Sequence, residues 1–570
     1  MNLTNGRRIW IWSLVLWSGV ALGQDDISPL IHVNQLGYRT SMPKAAMADS
    51  AIVRPFSLID AKTQKPVLKK NLRLSQAHNP ASGTSVWIAD FSSVDVTGEF
   101  YLSIPGQGRS HPFVIADTPY TLLAYKVLNS YYALRCGTEL PMALADRWER
   151  KACHLADAII SPPTEELIQS ADRTGGWHEG GEHGKYTVSG AFSVGLLLLT
   201  HEMFPSFYPD QALKIPEAGN GIPDILDEAR WELEWLLKMQ QESGAVAHKL
   251  TALEPVINAV SAADESKRYQ FGVSTNATAI SAAVFAKASR FYSPFDATFA
   301  MQCNEAAQRA WKFLETDGLQ PGFSNPEGVQ TKTYNDDDDS DERLWAAVEL
   351  FLLTQDARFL RVVQALADRR IPFISSSGYW GNVMPMATAA ILSCTPETIG
   401  KDLHKEALDD LDSLARLLYQ KTAQDGYRLS IQEGEFIWGS NATVLENAIV
   451  LLLAAHFQNQ ADYKAAAQDQ LHYILGRNPL SVCYVTGAGV LSPQKPLFPD
   501  GLLGNAKAPV PGMVVAGPNQ FLNDSVLKGI FTTTTPPARI YHDSMESFSS
   551  NEVSINWNAA LVYVLTALSQ

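Results

Sequence analysis

A small β-sandwich followed by a large all-α domain is the fold this sequence predicts, and one change of texture marks the junction. From about Leu30 to Ile115 apolar residues fall in brief or alternating clusters cut by Gly and Pro, as short strands and turns require. After Thr118-Pro119 they recur every three or four positions, the period of amphipathic helices. Length agrees, because 570 residues exceed what one ordinary core serves.

The sandwich is assigned to residues 28–117 and the helical domain to 118–570. Strand clusters run through Ile31, Val33, Ala46, Val53, Phe56, Leu58, Val67, Val86, Ile88, Phe100, Leu102, Ile104 and Phe113. Gly37, Pro43, Pro80, Gly83, Gly98, Pro105 and Gly106 punctuate them, a pattern that suits two small packed sheets. Helical periodicity then starts at Tyr120 and passes through Leu123, Leu128 and Tyr131. Further helices are predicted over 191–203, 225–240, 277–289, 294–317, 342–354, 358–367, 386–392, 405–423, 443–457, 461–475 and 558–568. Before Ile225 the start is signposted: Asp224 precedes the apolar period, and Asp227 and Glu228 fill the first turn. The Gly- and Pro-containing loops between these helices are long, and long loops in a compact domain are more often functional than filler.

Composition narrows the class. Hydrophobic content of 46% with 10% aromatics is that of a folded protein. A net charge of -15 argues against nucleic acid or an anionic membrane surface as partner. At the N-terminus Arg7 and Arg8 precede an apolar run over 9–20, and Ala21-Leu22-Gly23 supplies small residues at a cleavage site. Residues 1–23 thus read as a signal peptide, which predicts a secreted or periplasmic protein with no membrane attachment after cleavage. A retained anchor is the alternative, although the run is short for a span. The five cysteines cannot all pair within one chain, so no disulfide scaffold is expected.

Three stretches carry the chemistry. The first is Gly175-Gly176-Trp177-His178-Glu179-Gly180-Gly181-Glu182-His183-Gly184-Lys185-Tyr186. The second is Ile474-Leu475-Gly476-Arg477-Asn478-Pro479-Leu480, followed by Tyr484-Val485-Thr486-Gly487. The third is Asn551-Glu552-Val553-Ser554-Ile555-Asn556-Trp557-Asn558-Ala559. In this order, with Trp438-Gly439-Ser440-Asn441 between them, they resemble glycoside hydrolase family 9, the inverting cellulases and their relatives. The opening Val33-Asn34-Gln35-Leu36-Gly37-Tyr38 resembles the immunoglobulin-like module that often precedes that catalytic domain. The resemblance covers essentially the whole mature chain. It implies an (α/α)6 barrel of six inner and six outer helices, with a substrate cleft across one end.

Inverting cleavage needs an acid at the leaving oxygen and a base that activates water on the opposite face. The resemblance assigns Glu552 as acid, Glu182 as base and Glu179 as water support. Where the family has Asp-Ala-Gly-Asp, this chain has Glu179-Gly180-Gly181-Glu182, so both carboxylates reach further by one methylene, about 1.5 Å. Gly180 offers backbone freedom to absorb that reach. A second departure is Pro493-Gln494-Lys495-Pro496-Leu497-Phe498-Pro499, which lacks the His-His-Arg residues that family cellulases place there. Inverting hydrolysis of a β-1,4-glucan or related oligosaccharide is the expected activity, in an endoglucanase-like manner. A non-catalytic glycan-binding protein on the same fold is the alternative.

Candidate substrate-binding residues are Tyr541, Asp543, Trp438, Trp380, Tyr186 and Phe498; a broad aromatic ring complements a pyranose face. Cys136, Cys153, His154 and His178 form a candidate zinc set, since two thiolates and two imidazoles suit a closed structural site. A Cys136–Cys153 disulfide is the competing reading. Glu217, Asn220 and Asp224 form a candidate calcium set, and the acidic run Asp336 to Asp339 with Asp341 and Glu342 is another. No organic cofactor is expected, and the protein is expected to be a monomer.

Overall fold

The computed structural model describes residues 27–50, 52–157, 160–161, 166–167, 172–316, 318–367, 374 and 376–570. The predicted signal peptide lies outside them.

Two sheets make the N-terminal sandwich. One orders Ile31–His32, Ala45–Asp49, Thr84–Asp90 and Arg73–Asn79. The other orders Gly37–Arg39, Phe113–Ala116, Gly98–Ile104, Pro55–Asp60 and Pro66–Asn71. Their alternating inward residues, among them Phe56, Leu58, Trp87, Phe100, Leu102 and Phe113, form one core. Gly37 is required where its strand runs parallel to the last one, because a Cβ there would lie 2.2 Å from the Val114 carbonyl oxygen.

Among the described residues, twelve longer helices make the second domain. Six are buried almost all round: Thr187–Met203, Thr275–Tyr292, Ser340–Thr354, Met384–Leu392, Ser440–Gln458 and Ile555–Ala567. Each packs on the next, and the last returns to the first, so they close a ring. The other six are Thr121–Asn129, Asp224–Met239, Ala297–Thr316, Ala357–Ala367, Lys401–Gln424 and Ala461–Ile474. They bury one face against the ring and keep the other polar. This is the expected (α/α) barrel.

The inner helices start earlier than periodicity predicts. Thr187, Thr275, Ser340, Met384, Ser440 and Ile555 precede the predicted starts at 191, 277, 342, 386, 443 and 558 by two to four residues. Those first turns are Thr-Val-Ser-Gly, Thr-Asn, Ser-Asp, Met-Pro, Ser-Asn-Ala and Ile-Asn-Trp, mostly small or polar and without an apolar stripe.

The sandwich is joined to the barrel by buried polar contacts. His32 Nδ1 lies 2.7 Å from Ser481 Oγ, and Asn34 Nδ2 lies 2.9 Å from His472 Nδ1. Tyr427 donates to Asp49 at 2.7 Å, and Arg539 pairs with the same carboxylate at 2.9 Å. Gln35 accepts from the Val490 and Leu491 amides at 2.8 and 2.9 Å.

Candidate active site

A cavity of about 610 Å³ opens across the N-terminal ends of the inner helices. Glu179, Glu182 and Glu552 line it together, although about 370 residues separate the first from the last. The three carboxyl groups are held in different ways.

Glu552 sits on an extended segment clamped from both sides. Its carbonyl accepts from the Ala516 amide at 2.9 Å, and the Leu497 amide donates to the Asn551 carbonyl at 2.8 Å. The carboxyl receives one side-chain hydrogen bond, from Trp438 Nε1 to Oε2 at 3.0 Å. Burial pushes it up to about 8, with Glu182 and Glu179 adding to the rise and Lys332 and Trp438 opposing it. It therefore holds a proton at neutral pH.

Glu179 is gripped by three hydroxyls at a single oxygen. Ser554 at 2.7 Å, Ser189 at 2.9 Å and Tyr334 at 2.9 Å all donate to Oε1. Oε2 has no protein partner among the described residues. Burial pushes this carboxyl up to about 7 against the pull of those donors. Ser554 is the residue before the helix Ile555–Ala567, where serine ordinarily caps the helix; here its side chain makes no cap bond and serves Glu179 instead. Tyr334 adopts a left-handed backbone with φ 46°, a strained choice for an aromatic residue.

Glu182 accepts from Tyr186. Burial raises its carboxyl, while Tyr186 and the cations Lys249 and Arg268 pull it down. Buried Lys249 also donates to Asn325 Oδ1, Thr331 Oγ1 and the Lys332 carbonyl at 2.7, 2.9 and 2.8 Å, fastening the loop that carries Lys332 and Tyr334. At Gly180 the loop runs closely against the segment that follows Glu552: a Cβ there would lie 1.9 Å from the Val553 carbonyl oxygen.

Trp438 and Trp380 line the cavity as expected. Trp438 carries the Lys332 ammonium 3.9 Å from its ring centroid, so one face is covered by a cation. Four expectations are corrected. Tyr186 is buried and spends its hydroxyl on Glu182. Tyr541 is buried behind the acid and donates to Asn551 Oδ1 at 2.7 Å. Asp543 accepts from the Gln494 and Lys495 amides at 2.7 and 2.9 Å and from Asn551 Nδ2 at 2.9 Å, so it fixes the 493–499 loop. Phe498 is only 2% exposed and packs into the core. Residue type alone does not tell which way a side chain points. Lys332, Tyr334, Tyr379, Trp557 and Glu446 also line the cavity and lie outside the predicted set; the Trp557 position, inside the third motif, was the one available signal.

Next to the base loop, one ligand atom each from Cys136, Cys153, His154 and His178 falls within 4.8 Å of all the others. Both thiols are free, so the disulfide reading is set aside. Burial pushes His178 down to about 3, leaving its imidazole neutral and able to ligate. The Cys136 thiol, foremost, and the imidazoles of His178 and His154 hold Cys153 well below the usual thiol range against the opposing effect of burial. His154 turns its other nitrogen to Asp264 Oδ2 at 3.2 Å, as metal-bound imidazoles commonly do. This donor set fits a structural metal ion. The Glu217, Asn220 and Asp224 set does not: Glu217 grips Arg135 with both oxygens, at 2.8 and 3.1 Å. Asp224 accepts from two backbone amides, and Asn220 bonds Asp227 and the Ile222 amide.

A carboxyl-lined cavity across an (α/α) barrel, behind a β-sandwich, defines a glycosidase architecture. The chain belongs to glycosyl hydrolase family 9: that family's model matches residues 120–565, and the cellulase N-terminal Ig-like domain matches 26–109. It is 32% identical to a cellodextrinase of Butyrivibrio fibrisolvens over 94% of this chain and 99% of that protein. It is 31% identical to a xyloglucan-specific endo-β-1,4-glucanase of Bacteroides ovatus, over 94% and 93%. The crystal structure of a metagenome-derived family 9 endoglucanase superposes with a TM-score of 0.87 at 32% identity, covering 95% of this chain and 98% of that one. The chain is thus a glycoside hydrolase of the inverting family 9 type.

Proposed function

We propose that this protein is an exported, monomeric enzyme that hydrolyses β-1,4-linked glucans or their oligosaccharides, with Glu552 as general acid, Glu182 as general base and Glu179 as water support. One observation carries the assignment: three carboxyls share a cavity, and burial keeps one of them protonated at neutral pH while cations stand beside another. Glu552 gives its proton to the leaving oxygen. Trp438 steadies the carboxylate that remains, and the Lys332 charge favours it. On the other face the unpartnered Oε2 of Glu179 orients a water, and Glu182 takes that water's proton as the oxygen attacks the anomeric carbon. The similarity to a cellodextrinase and to endo-β-1,4-glucanases supports the substrate class.

Zinc is the ion proposed for the Cys136, Cys153, His154 and His178 cluster, because two sulfur and two nitrogen ligands suit it. A calcium-like ion is proposed for the second acidic set. Glu342 is fully buried beside Asp341 and Asp336, and burial together with those two carboxyls pushes it well above the usual carboxylate range.

The test is product release from cellodextrins, cellulose, xyloglucan and mixed-linkage glucan, followed by anomeric NMR. Inverted product that disappears in Glu552→Gln is expected. Retained configuration, or folded protein that binds a glucan without cutting any of them, would sink the assignment.

A further inference from the structure

Four carboxyl groups line the cavity, and the reaction uses three. The fourth is Glu446. It lies on the inner helix Ser440–Gln458, one turn beyond Ala442, and with Ala442 and Thr443 forms the face that this helix turns to the cavity. It is 7% exposed. No hydrogen bond or ion pair reaches its carboxyl among the described residues, whereas Glu179, Glu182 and Glu552 each have at least one side-chain donor.

A buried carboxyl without a partner costs free energy that an apolar residue would not. The neighbouring Leu445, Ala448 and Ile449 are apolar, while the buried polar Asn441 and Asn447 of the same helix have partners within the chain, the Val515 carbonyl at 2.9 Å and Ser430 Oγ at 3.0 Å. The partner that offsets the cost therefore comes from outside the chain, by way of the cavity. Its chemistry follows from the surroundings. Burial pushes Glu446 up to about 8, so at neutral pH the group mostly carries its proton and both donates and accepts. Two adjacent hydroxyls on one sugar ring match that pair of roles. An anionic sugar would meet four carboxyls and one ammonium, Lys332, along the same walls. A cationic amino sugar would first require Glu446 to give up its proton.

We propose that Glu446 is a specificity-determining residue of the cleft, binding the paired hydroxyls of a neutral glucosyl unit that rests among Trp380, Tyr379 and Trp557. The inference rests on the glucanase reading above.

Calorimetric titration of cellotetraose into Glu552→Gln protein, with and without a second substitution at Glu446, tests it. Glu446→Leu is expected to weaken binding about 10- to 100-fold, as when one hydrogen-bonding group is removed from a polar site. Glu446→Gln, which keeps a donor and an acceptor, is expected to stay within about threefold of the parent. The Leu protein is also expected to melt no lower than its parent, which separates lost recognition from damaged folding. Equal affinity in the Leu protein overturns this proposal alone. So does tighter binding of a glucosamine oligomer than of cellotetraose that vanishes in the Leu protein. If the Glu552→Gln parent binds no glucan, the glucanase reading falls and takes this one with it.

Discussion

The two walls of the cleft are built to different standards. On one side, Glu179 has three hydroxyl donors on one oxygen, its loop pairs with the segment after Glu552, and the Cys-His cluster sits alongside. On the other side, the Glu552 carboxyl has one side-chain hydrogen bond, from Trp438. The difference follows from the chemistry asked of each. A water must be held to within a fraction of an ångström with no covalent tether to help. An acid mainly needs the right proton affinity, and burial supplies that.

The most severe way to break the asymmetry is Glu552→Gln, which removes the proton donor. A rate loss of about 10²- to 10⁴-fold on unactivated glucans is expected, with much of it restored on aryl glycosides whose leaving group needs no proton. Steady-state kinetics on both substrates check this. Next in size is Glu179→Asp. Because Gly180 packs against Val553 and holds the loop in place, the shorter side chain falls about 1.5 Å short of the water, and a loss of about 10- to 100-fold in kcat is expected. Faster turnover in the Asp protein would show that the site is not built around the longer side chain.

Removing the metal probes the support behind the base wall. Cys136→Ser, or prolonged chelation, is expected to lower the melting temperature by more than about 3 °C and to release one metal equivalent, measured by calorimetry and elemental analysis. The smallest effect tests the acid wall. Activity needs Glu552 protonated, so it is lost as pH rises through about 8, and it needs Glu182 ionised, so it is lost as pH falls through a value above the ordinary carboxylate range. Trp438→Phe deletes a hydrogen bond that lowers the Glu552 value. The alkaline limb of kcat/KM is then expected to move up by about half a unit to one unit, while the acid limb stays.

The barrel and the three carboxyls that meet in the cavity were legible because each belongs to a long motif or a long periodic run. What escaped shares a cause. Inner-helix starts were read two to four residues late at all six helices, because the first turns face the cleft and carry no apolar stripe. Ser189 and Asn556 lie in those unread turns, and they reach Glu179 directly or through each other. Tyr334 was invisible for a different reason: its role depends on a left-handed backbone in a loop with no motif. Tyr186, Tyr541, Asp543 and Phe498 were read as substrate-binding residues, yet each supports or packs around the cavity without lining it.

The hydrogen bond from Ser554 to Glu179 joins the last inner helix to the loop that precedes the first. The reactive centre is therefore the seam at which the ring of helices is closed. A ribosome must deliver the segment around Glu552 and Ser554 before either wall of the cleft is complete. A nascent chain that has not yet reached Glu552 holds Glu179 and Glu182 without their opposing carboxyl, so the cleft forms only when the two ends of the ring meet.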